Sequence, residues 1–205
     1  FPGREGIDFA YRLNKMIANG PMRTHPERFQ AFATLPLQDP QASADELDRA
    51  VREDGFVGAM TNGIIGNKFL DHEDFEPVLA RAEALGVPIY LHPAFPPKEI
   101  FDLYYRIDRP EYNEEYQDYI FSGSGYGWHQ EVLTQALRMI MTGCFDRFPK
   151  LQIIIGHMGE GLPFYFERIV EELGEATEHS LNKPILQYFN DNEVPGIILD
   201  LRNNG

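Results

Sequence analysis

Apolar positions along this chain alternate between two rhythms. A helical spacing over residues 7–18 gathers Ile7, Tyr11, Met16 and Ile17 on one side and stops at Gly20. After the turn-like Arg23-Thr24-His25-Pro26, a strand is expected at residues 29–34. Ser43 followed by Glu46 reads as a capping box, with Leu47, Ala50 and Val51 at helical spacing behind it and Gly55 as the stop. Residues 56–60 form a short apolar run that closes on Thr61-Asn62-Gly63, the pattern of a buried strand entering a loop. Phe75, Val78, Leu79, Ala82 and Leu85 trace the next helix, ended by Gly86. A strand at 88–91 runs into His92-Pro93. A helix starting near His129 carries Leu133, Ala136, Leu137, Ile140 and Met141 to Gly143. A strand at 151–155 runs into Gly156-His157, and helices at 163–173 and 185–189 precede a last strand at 196–201.

Five apolar strands separated by helices predict an α/β fold whose parallel sheet is buried on both faces, because each crossover helix covers the sheet it returns to. Doubly wound sheets and barrels share that rhythm. Two features favour the barrel. No glycine-rich phosphate loop follows the first strand, and polar residues gather where strands end, at Thr61-Asn62, at His92, and at His157 with Glu160. A complete (β/α)8 TIM barrel takes roughly 250 residues, so five strands predict a partial one. Residues 95–127 break the rhythm as a long insertion rich in Phe and Tyr, far beyond the usual loop length. So aromatic a segment is expected to fold over the barrel mouth or against a partner subunit.

Charge narrows the partners. The 18 Lys and Arg stand against 32 Asp and Glu, a net charge of −14 with no basic cluster, which excludes phosphate-tracking nucleic-acid binding and disfavours an anionic membrane surface. No run approaches the ~20 apolar residues of a membrane span, and Phe1-Pro2-Gly3-Arg4-Glu5 lacks a signal-peptide pattern. One cysteine, Cys144, forms no internal disulfide, so a reducing cytoplasm is expected. The chain begins with Phe, and a longer parent is expected.

Two histidines end successive strands. A neutral imidazole at the position of His92 binds a metal through one nitrogen while a hydrogen bond holds the other; alternatively it is a core histidine satisfied by backbone. His157 repeats the arrangement, and Glu160, three residues on, reaches back across a turn to accept the ring proton and stabilise an imidazolium; the alternative is a polar turn before a helix. Arg168, among aromatic residues on the following helix, offers a guanidinium fork for a carboxylate, or simply pairs with Glu171 or Glu172. His129 either opens its helix or faces the mouth, where it would contact substrate. Cys144 lacks the electropositive setting of a reactive thiol, and His25, His72 and His179 have the polar surroundings of surface residues.

Four stretches carry a resemblance. Arg28-Phe29 to Pro40, Ala82 through Tyr90-Leu91-His92-Pro93, Gly127-Trp128-His129 through Ala136-Leu137-Arg138, and Phe145-Asp146-Arg147-Phe148-Pro149 through Gly156-His157-Met158-Gly159-Glu160 resemble the amidohydrolase-related decarboxylases, from about residue 5 to residue 192. That family includes gamma-resorcylate and aminocarboxymuconate semialdehyde decarboxylases. The resemblance implies a metal-dependent (β/α)8 barrel that removes carboxylate from an aromatic or unsaturated acid such as a hydroxybenzoate, as a homodimer or homotetramer, with Zn or Mn as cofactor. It implies that His92 ligates the metal from the fifth strand. It implies that His157 acts from the sixth with Glu160 beside it. Arg168 would grip the substrate carboxylate, in some members from a neighbouring subunit. The family's Glu-x-His or His-x-His pair on its first strand and Asp on its eighth have no counterpart here, and both strands are expected to lie outside the chain. The tail at 194–205 departs from the family pattern, and Asp200 is not taken as the missing ligand. Rival expectations are a metal-dependent hydrolase of a lactone or amide on the same barrel, and a non-catalytic fragment or assembly partner holding less than a full equivalent of metal.

Overall fold

The computed structural model describes residues 3–109, 111, 116–190 and 197–199. In chain order, α1 (Gly3–Ile17), β1 (Ala33–Thr34), α2 (Pro40–Asp54), β2 (Ala59–Asn62), α3 (Glu76–Leu85) and β3 (Ile89–His92) form the first half. The aromatic segment holds α4 (Lys98–Ile100) and α5 (Gln117–Ser122), followed by α6 (Gly127–Met141) and α7 (Cys144–Arg147). Next come β4 (Ile153–Ile155), α8 (Leu162–Arg168), α9 (Gly174–Thr177), α10 (Ile185–Asn190) and β5 (Ile197–Leu199).

The five strands lie side by side in chain order, and each neighbouring pair is parallel. A doubly wound sheet reverses its order at a switch point. Strictly sequential order is instead that of a (β/α)8 barrel wound one way, here in part. Strand periodicity then assigns the two faces. Ala59, Thr61, Ile89, Leu91, Ile153 and Ile155 are each at most 1% exposed, and the apolar five share one core with Leu47, Ala50, Val78, Leu79, Val132 and Met139 of the helices. Met60, Tyr90, His92 and Ile154 alternate onto the other face, and none of them is buried. Burial on both faces, expected from the sequence, therefore holds for the helix-covered face alone. The other is the inner face of a barrel that these five strands leave open.

Several boundaries differ from the sequence pattern for local reasons. Only Ala33–Thr34 of the strand expected at 29–34 is regular, because the Arg28 and Phe29 amides both donate to the His25 carbonyl and turn the chain there. α2 begins at Pro40, ahead of the expected capping box: the Asp39 carboxylate accepts the Ala42 N–H at 3.0 Å, and proline suits the first helical position. Ser43 is thus inside the helix, and Glu46 turns to the buried Asn14 and to Arg49. Asn14 in turn exchanges hydrogen bonds with the backbone N–H and carbonyl of Thr34, both at 2.9 Å, and so pins α1 to the end of β1.

The aromatic insertion packs on its own chain. Phe95 lies 4.3 Å from Tyr119 and 5.6 Å from Trp128 between ring centroids, and Phe121 contacts Tyr105 and Tyr126. Residues 110 and 112–115 of this segment, and the tail at 194–205 apart from β5, lie outside the described residues, Asp200 among them. No helix among the described residues is long and apolar enough to cross a membrane.

Candidate active site

The register of the sheet sets His92 at the C-terminal end of β3, level with Asn62 of β2. Of the polar pair that ends β2, Thr61 is 1% exposed, on the helix-covered face, while Asn62 is exposed. The His92 Nδ1–H donates to the Pro93 carbonyl at 2.8 Å. A carbonyl only accepts, so this contact fixes the tautomer and leaves the Nε2 lone pair free. Trp128, at the start of α6, lies 6.1 Å from the His92 ring, and Tyr90 lies 6.3 Å away along the same strand face.

Beyond β4 the backbone takes an uncommon course. His157, Met158, Gly159, Glu160 and Gly161 all have positive φ, from 43° to 80°. This left-handed winding costs about 1–2 kcal/mol for each non-glycine residue, and it brings the side chains of His157 and Glu160 together. The His157 Nδ1–H donates to Glu160 Oε1 at 2.6 Å, the contact that their spacing predicted. The second oxygen is used as well: His129, in the first turn of α6, donates its Nδ1–H to Glu160 Oε2 at 2.6 Å. Glu160 is fully buried, so a carboxylate there depends on these two imidazoles for its partners. The ring centroids of His157 lie 6.1 Å from His92 and 5.5 Å from His129.

His92, His157, Glu160 and His129 are thus brought together. Arg168 is not among them. It lies on α8 with its side chain 80% exposed and pairs at 3.6 Å with Glu172, lining an outer groove with Gln130, Leu133, Tyr165 and Ile169. Sequence reasoning passed over Glu131. Its Oε2 accepts the Ala94 N–H at 2.8 Å, while Oε1 is buried with no hydrogen-bond partner. Burial pushes its carboxyl up to about 7; the Ala94 N–H opposes this and nearby Glu160 adds to it. A glutamate in the second turn of an amphipathic helix is ordinary, so no local signal marked it. His72 is less of a free surface residue than expected, since its Nδ1 accepts the Asp74 N–H and caps a short helical turn.

The donor chemistry suits a divalent cation. His92 keeps a free imidazole lone pair, and the His157 ring lies 6.1 Å from it between centroids. His129, His157 and Glu160 also place ligand atoms within 4.8 Å of one another. Both oxygens of Glu160 already receive imidazole N–H groups, so that trio reads first as a hydrogen-bonded relay that leaves the Nε2 atoms for other partners.

A barrel with these groups at its strand ends is of the metal-dependent hydrolase type. The chain belongs to the amidohydrolase family, whose model matches residues 9–177. It is 44% identical over 146 residues to decarboxylase orsB of Emericella nidulans, covering 70% of this chain and 42% of that protein. To gamma-resorcylate decarboxylase of Rhizobium sp. it is 35% identical over 199 residues, covering 92% and 57%. It is also similar to the structure of dihydroxybenzoic acid decarboxylase from Polaromonas sp. with bound manganese and the inhibitor 2-nitroresorcinol, at 33% identity. The TM-score is 0.78, and the match covers 94% of this chain and 56% of that one. The chain spans about half the length of these relatives.

Proposed function

We propose that the complete protein is a manganese-dependent decarboxylase of a hydroxybenzoate-class acid. The observation that carries this is the meeting, 6.1 Å apart, of two strand-end imidazoles whose Nδ1 atoms are each tied back, His92 to the Pro93 carbonyl and His157 to Glu160. The relatives named as decarboxylases and the manganese in the Polaromonas structure support it.

His92 would hold the cation through Nε2, the remaining ligands coming from strands outside this chain. When bound, the metal supplies Lewis-acid polarisation of the substrate's oxygens. Decarboxylation breaks the bond between ring and carboxylate carbon, returns its electron pair to the ring, releases CO2 and places a proton on the ring carbon. Glu160 stabilises positive charge on His157, which makes a protonated Nε2 of that ring a strong donor to a substrate oxygen. His129 shares that carboxylate and holds it in place. Arg168 points away on an outer groove, so its role as carboxylate clamp is assigned to the site of a second copy, in a homodimer or homotetramer. The single buried cysteine agrees with a reducing, cytoplasmic setting.

The test is CO2 release by the full-length chain loaded with manganese, across a panel of hydroxybenzoates, with the phenolic product identified by chromatography. Decarboxylation of at least one acid is expected, and its loss in His157→Asn. Metal binding without CO2 from any acid, or hydrolysis of a lactone or amide instead, overturns the proposal.

A further inference from the structure

In the turn that follows β3, three backbone polar groups are held by hydrogen bonds. The His92 carbonyl accepts the Gly63 N–H at 2.9 Å. The Pro93 carbonyl accepts the His92 Nδ1–H, and Pro93 has no N–H of its own. The Ala94 N–H goes to Glu131 Oε2 at 2.8 Å. Glu131 is therefore the side chain from a distant element that grips this turn. Its other oxygen sits against Gly63, where an added Cβ would come within 3.1 Å of it and 2.4 Å of the Ala94 side chain. Glu131 also lies one helical turn beyond Trp128, whose ring packs against His92, and on the helix whose His129 holds Glu160.

We infer that Glu131 is a positioning residue for His92: by fixing the Ala94 amide it holds the Pro93 carbonyl in place, and that carbonyl sets the tautomer and direction of the His92 ring. α6 then acts as one rigid rule, with Trp128, His129 and Glu131 setting the spacing between the two strand-end histidines. The inference deepens the proposed function and rests on His92 as a metal ligand.

The test is titration of the metal-free, full-length chain with Mn2+ alone, in the wild type, His92→Ala, Glu131→Gln and Glu131→Leu. Glu131→Gln retains an acceptor oxygen and is expected to bind as the wild type does. Glu131→Leu fills the same space without an acceptor and is expected to bind about 10- to 100-fold more weakly, the usual loss for groups that orient a metal ligand. A merely structural role lowers the melting temperature of the metal-free chain without separating Leu from Gln in affinity. Wild-type affinity in Glu131→Leu, with affinity lost in His92→Ala, overturns this inference alone; wild-type affinity in His92→Ala overturns the ligand assignment beneath it. Should the leucine variant not fold, Glu131→Asp, one methylene short of Ala94, is read the same way. Amide exchange adds an independent measure: the Ala94 N–H of the wild type is expected to be protected, and its rapid exchange overturns the inference.

Discussion

Replacing Glu160 by Gln preserves shape and removes one acceptor. In the wild type both oxygens of this fully buried carboxylate receive imidazole N–H groups at 2.6 Å. The glutamine must turn its amide NH2 toward one of the two rings, where donor would meet donor. That ring has to give up its Nδ1 proton and carry it on Nε2, so one of the two ring tautomers inverts. A hydrogen bond to a charged group contributes about 1.5–3 kcal/mol, which corresponds to about 10- to 150-fold in rate if the charged His157 is needed in the transition state. The assay has two parts on the full-length chain: CO2 release with saturating Mn2+, and nitrogen NMR of 15N-histidine-labelled protein to read which ring nitrogen is protonated. The expected result is a rate loss in that range together with a tautomer switch at His129 or His157. A variant as fast as the wild type, with both rings unchanged, would refute the relay through Glu160.

Other substitutions probe the frame. An alanine at Gly156 would place its Cβ 1.9 Å from the Tyr90 hydroxyl, so Gly156→Ala should lower the melting temperature, and adding Tyr90→Phe should recover part of the loss. No recovery in the double variant would place the clash elsewhere. Asn14→Ala leaves the Thr34 backbone groups without their partner and should cost about 2 kcal/mol or more in urea unfolding; an unchanged midpoint counts against the pinning of α1. Burial pushes the Cys144 thiol from its ordinary 9.0 up to about 12, so the native chain should resist alkylation by iodoacetamide until denatured. Because the folded value is the higher one, the associated stability is full below the ordinary thiol value and declines as pH rises from there toward about 12. A thiol that alkylates readily in the folded chain contradicts this.

The sheet was legible from sequence because its parallel strands read as short apolar runs, and the groups at their ends stand out as the polar residues that stop those runs. His92, His157 and Glu160 were found that way. Boundaries set by competing local chemistry were not: Asp39 with Pro40 outranked Ser43 with Glu46 as the start of α2, and the turn on the His25 carbonyl shortened β1. His129 was visible only as a helix opener or mouth residue, since its partnership with Glu160 joins positions 31 residues apart. Glu131 was invisible for the same reason, its partner being the Ala94 amide, 37 residues away. The outward course of Arg168 depends on which side of α8 meets α6, which its aromatic neighbours do not disclose.

The backward-wound loop after β4 has a consequence for heating. Three residues with side chains, His157, Met158 and Glu160, sit there against the handedness that L-amino acids favour. Such a spring stays coiled only while its surroundings clamp it, and it gains by letting go as soon as they loosen. Gentle warming should therefore undo the contact between His157 and Glu160 while the helices still give a full circular-dichroism signal, and cooling should restore it.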